Sequence, residues 1–343
     1  MPANCLQIQW KKRWCNLRKI TFITLGFLAA VNLSAQVLLP TPETAFEPQH
    51  HFNPLVIKSK GIKRIVFEIL DKKDFEVAVD QNLMETYQFN ADGLLSRYYF
   101  TTIVKTVEKQ VAARDGRGRS YWKTVTDYMY DTISTTYFYS GLNLVLKRYH
   151  DGFNYYESRY YSYDSLDRLT KELRFKETNS STDRSVFILG NQVLLSEDSF
   201  QYKRFSPLQQ KCIFVNSENR PYKEQITNYD TLGRKVAVNE NYTAAGWITQ
   251  ETHYAYLGNH LLQAQFEGNT GNKVTLKSTY EYDAQDELYS EKQYKNDALV
   301  KEISYVTDKT DSLLNSVIVR DTLNKSIRII RLKYDTGQMT QTH

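Results

Sequence analysis

The chain has 343 residues, with 44 Lys and Arg against 39 Asp and Glu, and with 26 Tyr, 14 Gly, 7 Pro and 3 Cys. This length allows one or two domains, and the high tyrosine content favours an all-β fold because aromatic residues suit half-buried strands. Residues 1–36 hold five basic and no acidic side chains, so the rest of the chain has 44 − 5 = 39 basic and 39 acidic residues. A net charge of zero excludes the large basic footprint of a nucleic-acid-binding domain.

Residues 1–35 have the pattern of a secretory signal peptide. A basic stretch from Lys11 to Lys19 precedes an apolar run from Ile20 to Val31, and small residues follow as far as Ala35. The apolar run is shorter than the roughly 20 residues of a membrane-spanning helix. We therefore expect cleavage after Ala35, no integral membrane segment after cleavage, and a periplasmic, outer-surface or extracellular protein. An uncleaved N-terminal anchor is the alternative.

The next stretch, residues 36–60, contains four of the seven prolines and is predicted to be a Pro-containing linker. Proline has no backbone N–H for a sheet ladder, so a strand is not expected here. His50 and His51 are adjacent, and adjacent histidines can bind a metal ion. Because no matched set of ligands lies nearby in the sequence, a solvated linker is the preferred interpretation.

From residue 61 to residue 343 the pattern is that of repeated β-hairpins. In the best copy, Tyr161 and Tyr163 alternate onto one face, Asp164 opens a polar turn, and Leu169 begins the next strand. Comparable aromatic positions recur along the chain at Tyr139, Tyr163, Tyr229, Tyr256, Tyr282, Tyr305 and Tyr334. Apart from one long gap, the spacing is about 25 residues, which fits two strands and two turns. We predict an all-β domain of antiparallel hairpins that forms a long twisted sheet or a partial shell.

One predicted hairpin is longer than the others. It runs from Thr101 to Tyr130 and has Asp115-Gly116 at its tip, a dipeptide typical of tight hairpin turns. The basic residues between Arg114 and Arg119 are interpreted as a solvated hairpin tip and not as a nucleic-acid site.

The repeated phrase resembles a known family. Tyr-x-Tyr-Asp-x-x-Gly-Arg-Leu is the hallmark of the YD repeat of RHS-type proteins, and the closest copies here are Tyr161–Leu169 and Tyr229–Lys235. The resemblance covers roughly residues 87–337. It implies a secreted or surface β-repeat scaffold, often described as carbohydrate-binding. The Ser-Ala-Gln signal ending resembles those of Bacteroidota, so we expect a small exported repeat protein of that type, without a toxin domain.

Signals for catalysis are weak. The sequence has no Gly-x-Ser-x-Gly elbow, His-Glu-x-x-His pair or Gly-rich phosphate loop. Cys212 reads as a buried strand residue, and His253 and His260 read as surface residues, with a metal pair across a hairpin as the alternative. The repeated Asp residues are explained by turn chemistry, although a glycosidase carboxylate pair stays open as a third hypothesis. We expect no enzyme activity, no cofactor and no metal.

The candidate binding residues are aromatic. Exposed rings form stacking surfaces for sugars, and Trp247, just after a turn, is the best candidate. Packing in the core is the other interpretation of the tyrosines. The predicted ligand-binding set is Trp247, Tyr161, Tyr163, Tyr254, Tyr256, Tyr280 and Tyr282. Five Asp-Thr/Ser-Ile/Leu triplets also resemble the O-glycosylation acceptor of exported Bacteroidota proteins, with turn preference as the alternative. Their hydroxyl residues are Thr132, Ser165, Thr231, Ser312 and Thr322.

These observations predict an exported, non-catalytic binding module for carbohydrate or a cell-envelope polymer. The alternative is a structural or protein-interaction scaffold, with an envelope protein as partner, and a hydrolase is the third possibility. A concave face lined by rings favours the first, and a cleft with two convergent carboxylates favours the third.

Overall fold

In the computed structural model, one sheet of 18 strands closes on itself. The structure describes residues 36–46, 50–73, 76–152, 155–183, 186–246, 248–308, 310 and 313–337. Each strand pairs antiparallel with the next, and β1 also pairs with β18, so the sheet closes into a ring of strands. The prediction of antiparallel hairpins is confirmed. The prediction of an open twisted sheet or partial shell is wrong, because ring closure pairs Arg64 with Asp335.

The strands follow the chain around the ring in sequence order. Their bounds are β1 Arg64–Lys73, β2 Val79–Phe89, β3 Leu95–Arg114, β4 Ser120–Ser140, β5 Asn143–His150, β6 Tyr156–Tyr163, β7 Leu169–Asn179, β8 Leu189–Ser206, β9 Gln209–Asn216, β10 Pro221–Tyr229, β11 Lys235–Tyr242, β12 Thr249–Leu257, β13 His260–Asn269, β14 Lys273–Tyr282, β15 Leu288–Lys295, β16 Ala298–Thr307, β17 Leu314–Asp321 and β18 Ser326–Asp335. One short helix, α1, spans Pro54–Ser59, and a single 3-10 turn spans Thr243–Ala245. None of the helices in the described residues has the length and apolar content needed to cross a membrane.

The turns explain the repeated Tyr-Asp phrase. Asp164 Oδ1 accepts hydrogen bonds from the backbone N–H groups of Leu166 and Arg168, at 2.9 and 3.0 Å. Asp230 does the same two and four residues on, and Gly233 adopts a φ of +78°, a conformation that glycine enters without strain. The same two hydrogen bonds occur in the turns that begin at Asn90, Asp115, Asp164, Asn216, Asp230 and Asp283.

Arginine at the end of the turn links one hairpin to the next. Arg234 Nε donates to Asp230 Oδ2 at 2.7 Å, and its guanidinium lies 4.4 Å from the ring centre of Tyr256. Arg168 makes the same pair of contacts, with Asp164 and with the ring of Tyr202. The Asp–Arg pair therefore fixes the turn and also packs against an aromatic residue of a later strand.

The two faces of the sheet have different environments. Residues that are directly opposite each other in paired strands lie on the same face of the sheet. Tyr161 is opposite Glu172, and the pairings of the following strands place Tyr254 and Tyr280 on that face too. Residues 36–60 pack against this face. Because Gln36, Val37 and Leu38 are consecutive and all buried, that segment is covered on more than one side. Its contacts also reach from Tyr254 on β12 to Tyr87 on β2. We infer from this span that the segment lies inside the barrel and that the tyrosine face lines the lumen.

The segment predicted as a linker, residues 36–60, contributes to the core. Leu38 forms a strand-like bridge with Phe52, and Asn53 caps α1 by accepting the N–H of Leu55 at 3.2 Å. Pro54 occupies the start of α1, where a missing N–H leaves no hydrogen bond unmade. The main hydrophobic core joins this segment to strands β1, β2, β17 and β18 through Val37, Leu38, Phe52, Val56, Ile57, Ile65, Phe67, Tyr87, Val317, Ile330 and Leu332.

A smaller polar cluster is buried on the opposite face. Glu177 on β7 is fully buried and lies 3.0 Å from Arg148 on β5. Tyr160 and Gln192 donate to its other carboxylate oxygen at 2.7 and 3.0 Å. Phe187, from the connection between β7 and β8, lies over the guanidinium of Arg148 at 3.7 Å. The connection therefore covers an ion pair that would otherwise face solvent.

Candidate functional site

A cavity of about 480 Å³ lies between residues 36–60 and the lumenal wall of strands β14–β18. Its volume falls in the range of small-molecule pockets. The lining combines aromatic rings, aliphatic side chains and a few polar groups, which is the composition expected of a ligand pocket. Among the polar groups, Glu291 and Lys301 lie on one side, and His50, Glu85 and Arg328 lie on the other.

Glu291 is the most buried carboxylate of the cavity, with 8% of its surface exposed. Its Oε2 accepts the hydroxyl of Tyr305 at 2.9 Å, and its Oε1 accepts Nε2 of Gln293 at 2.7 Å. Burial raises the pKa of Glu291, and these two hydrogen bonds and the charge of Lys301 only partly oppose the rise. The carboxylate is therefore held in a fixed position and takes up a proton more readily than an exposed glutamate.

Glu85 and His50 form the other polar side. Tyr87 donates its hydroxyl to Glu85 Oε2 at 2.6 Å, and burial raises the pKa of Tyr87 far above its ordinary value. The His50 ring packs edge-on against Phe67, with the ring centres 5.1 Å apart. Burial lowers the pKa of His50, and the negative charge of Glu85 opposes this shift only in part. His50 is therefore neutral at pH 7.

The burial of His50 predicts a pH-dependent stability. Below the unfolded-state pKa of about 6.5, the unfolded chain binds a proton that folded His50 does not, so stability falls as the pH is lowered towards the folded pKa. One such group contributes at most about 1.4 kcal/mol per pH unit. We expect the free energy of unfolding, measured with urea between pH 7 and pH 5, to fall more steeply for the wild type than for His50→Gln. Parallel pH profiles would contradict this account.

The predicted tyrosines share the lumenal face, but their hydroxyl groups are mostly bound to the wall. Tyr163, Tyr256 and Tyr282 each donate to the backbone carbonyl of Leu144, Lys235 and Leu261, at 2.9, 2.7 and 3.0 Å respectively. These bonds join successive hairpins near one rim of the barrel. They also leave the hydroxyls less available to a ligand.

Two of the predicted tyrosines contact the region around residues 36–60. Tyr280 is buried and lines the cavity, and Tyr254 donates its hydroxyl to the carbonyl of Pro42 at 3.2 Å. Tyr161 lies on β6, away from the strands that form the cavity. Trp247, the best candidate from the sequence, lies outside the described residues.

The predicted glycosylation residues occupy different environments. Ser165 and Thr231 are exposed in turns, and Thr132 is exposed on β4. Thr322 is half-buried, and its hydroxyl donates to the carbonyl of Leu299 at 2.5 Å. Ser312 lies outside the described residues. Of the described acceptors, Thr132, Ser165 and Thr231 therefore have the exposure that the predicted modification requires, and Thr322 does not.

His253 and His260 were expected at the surface, with a metal pair as the alternative, and they contact different acidic residues. His253 Nε2 lies 2.9 Å from Glu251, whereas His260 Nε2 lies 3.5 Å from Asp286. Across the described ranges, no group of three or more His, Cys, Asp or Glu residues could hold a metal ion. Cys212 is buried on β9, as the sequence predicted for a strand residue.

Several cavity residues escaped the sequence analysis. Glu291, Glu85 and His50 carry no motif, and their positions depend on strands and a segment that are far apart in the chain. The only signal in the sequence was the alternation of side chains along a strand, which places Glu291 and Gln293 on the same face of β15. His50 was assigned to a linker because the prolines around it were interpreted as breakers of sheet structure only.

Comparisons with known proteins give partial and distant matches. A family model described as "Uncharacterised protein" matches residues 184–331. No curated protein matches the chain. Among solved structures, the chain is similar to a porin-like protein from Bacteroides uniformis, with 10% identity, 80% of this chain and 97% of that chain covered, and a TM-score of 0.36.

Two further solved structures show the same distant similarity. A porin-like protein from Bacteroides vulgatus has 10% identity, with 79% of this chain and 98% of that chain covered and a TM-score of 0.26. TcdB2-TccC3-TEV has 9% identity, with 78% of this chain but 22% of that chain covered and a TM-score of 0.19. Because these TM-scores are low, the architecture of this chain rests on its own strand pairing: it is a closed antiparallel β-barrel of 18 strands.

Proposed function

We propose that this protein is an exported, non-catalytic barrel that binds carbohydrate, or a segment of a cell-envelope polymer, in the cavity under residues 36–60. The observation that carries the proposal is the lining of that cavity. Rings of Phe46 and Tyr280 lie in the same pocket as the carboxylate of Glu291 and the ammonium group of Lys301. Sugars present apolar C–H faces to rings and hydroxyl groups to carboxylates and cations, so this combination fits them.

The outward face supports an aqueous location. On the face opposite the tyrosines, Glu251 is directly opposite Glu267, and His253 is opposite Gln265. A charged side chain on the lipid face of a membrane barrel is destabilising, although Asp and Glu cost less than the roughly 2–4 kcal/mol of Arg or Lys at the bilayer midplane. We therefore propose that the barrel wall faces water in the periplasm or outside the cell.

One observation favours a hydrolase as the second candidate. Glu85 and Glu291 both line the cavity, and glycoside hydrolysis uses a pair of carboxylates. A raised pKa also suits a general acid. Against this, both oxygens of Glu291 already accept hydrogen bonds from Tyr305 and Gln293, which is typical of a structural carboxylate.

A glycan array with residues 36–343 tests the proposal, and the variant Lys301→Met locates the site. Lys301 is exposed and lines the cavity, so its loss should weaken glycan binding without unfolding the barrel. Hydrogen bonds to charged groups contribute roughly 1.5–3 kcal/mol, which corresponds to a tenfold to hundredfold loss of affinity. The matched control is Lys147→Met, a lumenal lysine on β5 outside the cavity, which should bind as the wild type does.

The outcomes separate the candidates. Binding that is lost in Lys301→Met and kept in Lys147→Met supports the cavity. Binding that is lost only in Trp247→Ala moves the site to the residue chosen from the sequence. Release of free sugar that is abolished in Glu291→Gln would establish the hydrolase, and the absence of any glycan binding would favour a scaffold.

A further inference from the structure

The two longest strands form a ribbon that extends beyond the barrel wall. β3 and β4 remain paired from Arg97 opposite Thr136 to Arg114 opposite Ser120. On one side, β2 pairs with β3 only as far as Phe100. On the other side, β5 pairs with β4 only from Ser134 onwards. At about 3.3 Å per residue, the remaining two-stranded part is about 45 Å long.

Such a ribbon is poorly supported by the barrel itself. An isolated two-stranded hairpin is at best marginally stable in water, because one ladder of hydrogen bonds orders many residues and buries little surface. The tip turn, from Asp115 to Arg119, is well formed: Asp115 accepts two backbone N–H groups and pairs with the Arg119 side chain at 2.9 Å. These contacts fix the conformation of the tip turn, and most side chains of the tip are exposed to solvent.

The tip of this ribbon, residues 108–123, is basic. It contains five basic residues and two acidic ones. The acidic residue at the turn, Asp115, is already engaged by Arg119. The tip therefore carries an excess of three positive charges. Because the chain after residue 36 has no net charge, the rest of that part of the chain carries a matching excess of negative charge. This local positive charge favours an anionic partner.

Exposed apolar side chains accompany these cations. Trp122 is 72% exposed, and Tyr121 and Val111 are also exposed. The two aromatic side chains are poorly shielded from water, because Ala112 lies opposite Trp122 and Ala113 lies opposite Tyr121. A large ring across from an alanine leaves most of its surface in water, which is unfavourable unless a partner covers it.

The two rings point to opposite faces of the ribbon, and this determines the kind of partner. Trp122 and Tyr121 are neighbours in one strand, and successive side chains of a strand alternate between faces. A flat ligand or a groove in a protein would cover one face. The interface of a bilayer surrounds an inserted tip on all sides and so covers both.

We propose that the β3–β4 tip inserts into the headgroup region of an anionic lipid bilayer and tethers the barrel to it. Trp and Tyr are enriched at this depth of a membrane, where their rings meet acyl chains and their polar groups meet water. The arginines and lysines bind the lipid phosphates. The ribbon holds the barrel away from the bilayer surface, so the proposal does not depend on the sugar-binding function.

Tryptophan fluorescence tests the proposal directly. Ala35–His343 forms one compact unit that contains all 18 strands, so the experiment uses residues 36–343. It contains only Trp122 and Trp247, and Trp247→Phe leaves Trp122 as the single reporter. With vesicles of phosphatidylcholine and phosphatidylglycerol we expect a blue shift of the emission and co-sedimentation, both weakened by salt. Vesicles of phosphatidylcholine alone should produce a much smaller response.

Charge variants identify the binding groups. Each basic residue near an anionic surface contributes about 1 kcal/mol, so replacing Arg114, Arg117 and Lys123 with Gln should lower vesicle partitioning about a hundredfold. The matched control replaces Arg220, Lys295 and Lys325 with Gln. These residues are exposed at the same end of the barrel but lie outside the ribbon. It should partition as the parent does, because it removes the same charge more than a Debye length from the lipid.

Three results would overturn the proposal. One is the absence of a blue shift with anionic vesicles, and another is equal loss of partitioning in the tip variant and the control variant. The third is a shift of Trp122 emission with soluble polygalacturonate but not with vesicles, which would assign the tip to an acidic polysaccharide. Far-UV circular dichroism of each variant confirms that the barrel is folded.

Discussion

Replacing Phe67 with alanine is expected to lower the free energy of unfolding by about 3–5 kcal/mol, the usual cost of truncating a buried phenylalanine. Phe67 is fully buried on β1, and its ring lies 4.9 Å from that of Tyr87 and 6.3 Å from that of Phe52. It therefore contacts both the wall and residues 36–60. The space left by the truncated side chain weakens the packing of β1, the strand that closes the barrel between β2 and β18. It also weakens the packing of residues 36–60 against the wall.

The matched control is Phe205→Ala. Phe205 lies on β8 and is 59% exposed, so its truncation should change stability by no more than about 0.5 kcal/mol. Urea unfolding of residues 36–343, followed by far-UV circular dichroism, measures both variants. Equal losses in the two variants would show that the junction of β1 with the segment does not hold the barrel together.

The turns and the strand faces were predictable from the sequence because both depend on local interactions. An aspartate can reach N–H groups two and four residues later whatever the rest of the fold does, and Asp164 does so. Alternation likewise places Tyr161 and Tyr163 on one face before any strand has a known neighbour. Each hairpin therefore carries the information for its own conformation.

Closure of the ring was not predictable in this way. Arg64 and Asp335 are paired although they lie 271 residues apart, and no local sequence pattern determines which distant strands meet. Whether a repeated sheet stays open or closes depends on the small twist and tilt added at each strand, summed over 18 of them. The expectation of an open sheet or partial shell failed at this step, although the repeat unit itself had been recognised.

The burial of the N-terminal segment was not predictable for a different physical reason. Prolines exclude regular strands but not burial, and Pro54 serves as the start of α1. The apolar residues among them, such as Val37 and Ile57, are almost completely buried. Because the wall that buries them comes from strands at both ends of the chain, the cavity and its polar groups could not be inferred from the segment alone.

The buried ion pair on the outward face gives the second large expected effect. Replacing Arg148 with methionine should destabilise the protein by about 3–5 kcal/mol, because it leaves the carboxylate of Glu177 buried without its cation. Burial by itself raises the pKa of Glu177, but the hydrogen bonds from Ser158 and Tyr160 and the charge of Arg148 hold that pKa below its ordinary value. Loss of the guanidinium removes part of this compensation.

The pH dependence of the loss distinguishes an unpaired charge from a simple packing defect. In the wild type the pKa of Glu177 is depressed, so its contribution to stability is present above the unfolded pKa of about 4.3 and is lost as the pH falls through the folded value. In Arg148→Met the same carboxyl gains stability on protonation, so the deficit should shrink between pH 7 and pH 4. Arg328→Met, which breaks the half-exposed pair with Asp71, is the control and should cost at most about 1 kcal/mol. A deficit in Arg148→Met that stays constant with pH would assign the loss to the contact with Phe187 and not to the charge of Glu177.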